Sequence, residues 1–231
     1  MQNLKNDKEK DSQKISITEM IVDFIQKKRK AIVFFAVIIA FLFVGMIVYL
    51  IIKDGADKRD IVAVEELSDR FGDLILFVND EDHFDDIELL LSDLISFAGN
   101  KKGFAASKAW SLAARIHGER KDWPMIEEAW LNAARAGERN LLGPISLFNA
   151  AVAAEEQGKL EQAIDLLKQS LIHRIEFPGA VRAQFSLGRL YEQQHNYPEA
   201  IEAYRSIMTK WPDISEWQEL ARNRIIALEI R

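Results

Sequence analysis

The chain reads as all-α: a single N-terminal transmembrane helix followed by a solenoid of stacked helical hairpins. Three observations predict this. Ala31–Ile52 is a run of twenty-two residues without a charge. Beyond it alanine is dense, glycine and proline are sparse, and apolar residues recur at spacings of three and four, with no sustained alternation of strand type. The same stretch also aligns with itself at a fixed offset of 37 residues, the mark of a repeat architecture.

The apolar run comes first. A helix rises about 1.5 Å per residue, so this length spans a hydrocarbon core of roughly 30 Å. Lys27, Lys28, Arg29 and Lys30 abut it on the N-terminal side. Residues 1–30 carry a net charge of +3 and residues 31–231 a net charge of −9. Basic residues flanking a span stay in the cytoplasm. The expectation is a single-pass protein of a bacterial inner membrane, N-terminus cytoplasmic and C-terminal part periplasmic. Read instead as a buried core helix, the segment would be unusually long for one apolar on every side. The run exceeds the apolar length of a signal peptide, and Gly55-Ala56, the nearest small-residue pair, sits between Asp54 and Asp57, so a retained anchor is expected. Within the span Ala36 and Ala40 make one small-xxx-small pair, a weak signal for helix association. The chain has no cysteine, which removes lipid anchoring, disulfides, thiol catalysis and thiolate metal sites.

The rest falls into segments. Residues 1–30 are the cytoplasmic tail. Residues 1–14 are polar and expected to be disordered. From Ser16, with Glu19 three residues on as a capping box, Ile17, Met20, Ile21, Phe24 and Ile25 predict a short amphipathic helix at the interface or an extension of the span. Residues 53–60 form a linker, and residues 61–231 a helical repeat domain. Its first hairpin, 61–98, is degenerate and turns at the acidic stretch Asn79–Asp86. Three repeats cover about 107–213. A final helix, 214–231, carries Ile214, Trp217, Leu220, Ala221, Ile225 and Leu228 on one stripe and closes the far end. All five prolines fall at helix starts or exits.

The offset of 37 aligns Ile126, Ala163 and Ala200, and with them Trp123, Leu160 and Tyr197; Trp130, Leu167 and Tyr204; Ala114, Ala151 and Gly188; and Ala113, Ala150 and Leu187. A hairpin packs closely only where a small residue meets the partner helix, and a bulky residue fills the gap to the next unit. Each hairpin leaves an apolar face open, so the units must stack. One step back, Leu89 takes the Ile126 position, with Leu76 and Phe77 at the small sites.

Leu187–Tyr204, LGRLYEQQHNYPEAIEAY, resembles a tetratricopeptide repeat in Gly188, Tyr191, Ala200 and Tyr204, with Pro212 closing the unit. Trp110, Ala113 and Ala114 resemble the opening of another copy. The implied fold is a tetratricopeptide-type α-solenoid. That family's period is 34, so about three residues are inserted per unit, expected in the turns near Ala136–Gly143 and His173–Gly179. The layout of polar tail, basic cluster, single span and small repeat domain resembles the membrane-anchored ancillary subunit family of the bacterial Sec translocon. That resemblance implies translocon subunits, periplasmic chaperones or client peptides as partners. A related type, the envelope tetratricopeptide protein that coordinates cell division, carries a cleaved signal and a coiled coil that this chain lacks.

No catalytic constellation emerges. His83, His117, His173 and His195 have no metal-spaced partners, and His117 and His195 are expected to be solvated at helix ends. Serine elbow, Walker loop and GxGxxG are absent from the sequence. The run Asn79–Glu88 begins like a calcium loop at Asp80 and Asp82. Phe84 then replaces a ligand, the turn glycine is missing and Leu91 stands at the bidentate position, so a solvated turn is expected. The acidic balance argues against nucleic acid. No cofactor, metal or enzymatic activity is expected.

The candidate site is a groove along the first helix of each hairpin. Its exposed positions are expected to be Lys108, Ser111 and Arg115; Ile145, Phe148 and Val152; and Arg182, Phe185 and Arg189. This arrangement has basic ends and an apolar middle, suited to an extended peptide with an acidic or carboxylate end lying on Phe148 and Phe185. The family's clamp for C-terminal carboxylates is matched at Asn149 and Arg182 and departed from at Ser111, Arg115 and Ser186. The expected function is a membrane-anchored interaction scaffold; a structural envelope protein acting by homo-oligomerisation is the alternative.

Overall fold

The computed structural model describes residues 2–173 and 176–230. Within its first helix the side chains of residues 2–19, 21, 23, 25 and 32 lie outside the described set. The described chain is 85% helical without strands. The first helix, α1, runs Gln2–Leu74. It includes residues 2–14, where composition predicted disorder, and 53–60, predicted as a linker. No glycine or proline lies between 2 and 44, so nothing halts helix propagation outward from the apolar run. Of the expected amphipathic segment, Met20 and Phe24 are exposed, whereas the side chains of Ser16, Ile17, Glu19, Ile21 and Ile25 fall outside the described residues.

The chain divides into two units, residues 1–56 and 57–231. In the first, the large apolar side chains from Val33 to Ile52 are exposed, Phe34 and Phe35 meeting edge to face. Among the described residues one helical stretch, Gln26–Phe77, is long and apolar enough to cross a membrane, and none of its apolar window is buried in protein.

The second unit begins with the last turns of α1 and continues through α2 (Phe84–Asn100), α3 (Gly103–Glu119), α4 (Trp123–Ala136), α5 (Leu142–Glu156), α6 (Leu160–Leu171), α7 (Ala180–Gln193), α8 (Tyr197–Lys210) and α9 (Ser215–Glu229). From α2 onward each helix packs on the next in sequence. The core is a series of clusters: Val64, Phe71, Ile87, Leu90 and Leu94 with Ala109 and Ile116; then Ala151, Leu167 and Leu190; then Ala200, Tyr204, Ile207 and Ile225. The loops after α4 and α6, residues 137–141 and 172–179, hold the residues in excess of a 34-residue unit; Arg174 and Ile175 of the second lie outside the described residues.

The 37-residue register is physical. Ala114, Ala151 and Gly188 are all buried, as are Leu167 and Tyr204 opposite the last two. At Gly188 a Cβ would lie 2.6 Å from Cε1 of Tyr204, so the largest core side chain demands the smallest partner. The turns inside the hairpins repeat as well. Lys121, Gly158 and His195 occupy the same position and share positive φ, 55°, 74° and 58°. The amide after each donates back five residues: Asp122 to the His117 carbonyl, Lys159 to Ala154 and Asn196 to Tyr191, at 3.1, 2.9 and 2.8 Å. Helices α3, α5 and α7 thus end in one Schellman motif, only one copy of which uses the preferred glycine.

The register does not reach the first hairpin. Its connection is longer, with 3-10 turns at Ile75–Phe77 and Glu81–His83. Leu76 and Phe77 sit in this connection rather than at small helix-packing sites, and Leu89 faces solvent while Ile87, Leu90, Leu91 and Leu94 are buried. The hairpin nonetheless covers α3, through Val64, Phe71 and Leu90 against Ala109, Leu112 and Ile116.

Replacing Gly188 by alanine should force Tyr204 out of place and destabilise the second unit by about 2 kcal/mol, a typical cost of overpacking a core. Ala151→Gly, at the same repeat position, should cost only about 1 kcal/mol. Chemical denaturation of the two variants checks the order.

Candidate functional site

The first helices of successive hairpins lie side by side. Lys108 of α3 pairs with Glu65 of α1 at 2.6 Å, and the Arg115 guanidinium stacks 4.5 Å above the Phe71 ring. Helix α3 packs on α5. Arg189 of α7 forms a two-pronged pair with Glu155 of α5, at 2.5 and 2.6 Å. The Glu155 carboxylate holds the Arg189 guanidinium in its charged form. Arg224 of α9 pairs with Glu192 of α7, which also accepts from the buried Tyr204 hydroxyl at 2.6 Å. Burial, then the Glu192 carboxylate, pushes the Tyr204 pKa well above the usual phenol value.

Glu155 and Glu192 are 37 residues apart, so both latches use one repeat position. At the α3–α5 junction the equivalent residues are Gly118 and Val152. The space beside Gly118 is open, with nothing within 4 Å of a Cβ placed there, and Val152 is 38% exposed. This junction therefore carries no latch of the kind that closes the next two.

The face differs from the predicted groove in its apolar middle. Phe148 is only 8% exposed. Its ring lies 6.4 Å from that of Phe177, in the α6–α7 connection, and the Arg182 guanidinium covers it at 5.6 Å. Phe185 is half-buried against Tyr204 and Trp217, centroids 5.1 and 5.4 Å away. Both rings are packing residues: the adjoining loop and the terminal helix fill the space in which a peptide side chain would sit. Ile145 joins the same core. Ser111 turns its hydroxyl back to the Ser107 carbonyl at 2.8 Å. Lys108 and Arg189 are occupied by carboxylates of neighbouring hairpins. Arg115, Asn149 and Arg182 remain, together with the exposed Val152. Among the described residues neither Arg115 nor Arg182 has a carboxylate partner; each lies over an aromatic ring, which leaves N–H donors free for an anion.

The sequence hid Phe177, because it lies in a loop and helical periodicity cannot place it. Its one signal is the following Pro178-Gly179, a turn that carries the ring back onto α5. Glu127 was also missed. Buried at the start of α4, it accepts from Gln157, Lys159 and Gln162 at 2.7, 2.9 and 2.6 Å and ties α4 to the following hairpin. Ile164 and Ile201 stand at its repeat positions, so its role is peculiar to this junction.

With these contacts in place, the comparisons with known proteins decide the architecture. The second unit is a helical repeat, and residues 148–213 of it match the tetratricopeptide repeat family. A curated protein of Treponema pallidum (strain Nichols), named TPR repeat-containing protein, is 32% identical over 146 residues, which is 62% of this chain and 60% of that protein. The chain thus aligns with about three-fifths of that relative's length. Repeats of this type are scaffolds for protein–protein interaction.

His117 is buried rather than solvated at the end of α3. Burial lowers its pKa below 6.5, against the opposing pull of Asp122. A depressed pKa means that the unfolded chain takes up the proton first. The resulting stability is full above about pH 6.5 and is lost as pH falls. Acidification from about pH 7.5 to about pH 5.5 should therefore destabilise the protein more than a His117→Gln variant, which binds no proton there. Denaturation midpoints at the two pH values measure the difference.

Proposed function

We propose that this chain is a membrane-anchored scaffold of a bacterial envelope. Ala31–Ile52 crosses the inner membrane, residues 1–30 stay in the cytoplasm and the helical repeat faces the periplasm. There it holds a protein partner close to the bilayer, either a translocon subunit or a periplasmic chaperone with its client peptide. The anchor is supported by the exposure of every large apolar side chain from Val33 to Ile52, a surface that water does not tolerate and lipid does. The relative from Treponema pallidum supports a bacterial source. Tethering raises the local concentration of whatever the repeat binds.

The observation that carries the binding reading is the pair Arg115 and Arg182 on the first helices α3 and α7, each over an aromatic ring and, among the described residues, without a carboxylate partner. An extended peptide with acidic groups, or a free C-terminal carboxylate, meets both guanidinium groups there, with Asn149 as a further hydrogen-bonding group and Val152 as the apolar contact. Charge-assisted bonds of this kind are the stronger class.

The full chain in zwitterionic nanodiscs should bind a fluorescent acidic decapeptide, and Arg115→Ala/Arg182→Ala should weaken it by about thirtyfold, on the order of 2 kcal/mol. Unchanged affinity would show that the face does not carry binding. A C-terminal reporter active only outside the cytosol should be active when fused after Arg231; a silent fusion would reverse the topology.

A further inference from the structure

The connection of the first hairpin departs from all the others. The later hairpins turn through three residues closed by the Schellman motif, with no large apolar side chain at the tip. Between Leu74 and Phe84 the chain takes nine residues, of which Val78 alone is buried among the large apolar ones. Leu76 is 86% exposed and Phe77 41%; in α2, Phe84 is 54% and Leu89 56% exposed. The underlying core is complete without them, since Val64, Phe71, Val78, Ile87, Leu90 and Leu94 fill it. Phe77 stacks on the His83 ring at 4.5 Å and the Arg120 guanidinium lies 5.8 Å from the Phe84 ring, while Leu76 and Leu89 are exposed apolar side chains outside the core.

What surrounds them indicates an occupant. Leu76 borders an open depression whose other walls are Asn79, Asp80, Glu81 and Asp82. Some of the nearby carboxylates have structural duties. Asp80 accepts from the Asp82 amide at 3.1 Å and faces His83, and Glu88 pairs with Arg120 at 2.5 Å. Asp85 and Asp86 lie in the first turn of α2, where a helix favours negative charge. Glu81 and Asp82 have no such duty: they sit in a 3-10 turn, exposed, and among the described residues their carboxylates meet no cation. No group of histidines and carboxylates here could hold a metal ion, among the described residues.

We propose that the 76–89 surface docks a basic amphipathic protein segment, one whose apolar side chains cover Leu76, Phe77 and Leu89 while its lysines or arginines meet Glu81, Asp82, Asp85 and Asp86. Charge complementarity selects this occupant: the same carboxylates repel nucleic acid, anionic lipid headgroups and acidic peptides. The surface lies on the opening hairpin and shares no residue with the arginine face, so the chain can hold two partners of opposite charge.

The probe is a fluorescent fourteen-residue peptide of leucine and lysine in helical register, titrated into the full chain in zwitterionic nanodiscs with empty nanodiscs as the blank. Leu76→Ser alone, and Glu81→Gln/Asp82→Asn together, should each weaken binding about tenfold, the apolar loss persisting at high salt and the charge loss not. Leu76 supports no packing, so its replacement leaves the fold intact, as a thermal melt will show. Arg115→Ala/Arg182→Ala should leave the affinity unchanged, which separates this surface from the acidic-peptide face. Equal binding by wild type and by both surface variants overturns the proposal, and so does loss only in the arginine variant.

Discussion

Everything in the second unit depends on close approach between paired helices of different bulk. A buried alanine or glycine in the first helix of each hairpin receives a large side chain from the second, most tightly where the Tyr204 ring lies against Gly188. That contact fixes how deep each hairpin sits, and the depth sets which residues reach the next hairpin. No single hairpin can bury its own outer face, so stability comes from the series of junctions rather than from one central core. The two-fold use of Tyr204 illustrates the coupling. Its ring closes α7 on α8, and its hydroxyl reaches Glu192, which in turn holds Arg224 of α9.

The junctions are similar without being equal. Those at α5–α7 and α7–α9 are each closed by an arginine on a glutamate of one repeat position. The α3–α5 junction has Gly118 and Val152 there and relies on α4, whose Glu127 collects three donors from the following hairpin. Rigidity at this junction therefore comes from the second helix of the hairpin rather than the first.

Much of this was legible in the sequence. Charge-free length marked the one described helical stretch long and apolar enough to cross a membrane, and a 37-residue self-match marked the small–large pairing of the helical repeat. Those features depend on spacing, which a sequence records directly. The groove was legible only in part. Lys108 and Arg189 looked available because their partners, Glu65 and Glu155, lie more than thirty residues away and only folding brings them together. Phe148 looked open because its cover, Phe177, comes from a loop without periodicity. His117 looked solvated because a helix end is usually exposed, and here the first hairpin and α4 enclose it. The tail read as irregular by composition, yet its lack of glycine and proline outweighs polarity when a strong helix lies alongside, and the linker stays helical despite Gly55.

The shared latch position has one further implication, for folding rather than for binding. Glu155 of α5 and Glu192 of α7 stand at one repeat position, so Glu155 would also suit Arg224 of α9. Chain connectivity resolves the ambiguity. Only Trp211–Ile214 separate α8 from α9, a reach of roughly 14 Å, too short to carry the last helix past an intervening hairpin. Phe185 then rewards correct seating through Trp217, an aromatic that α7 cannot supply in its place. Lengthening that four-residue connection would remove the leash, and skipped-register conformers, with α7 and α8 looped out, would become competitors of the native stack.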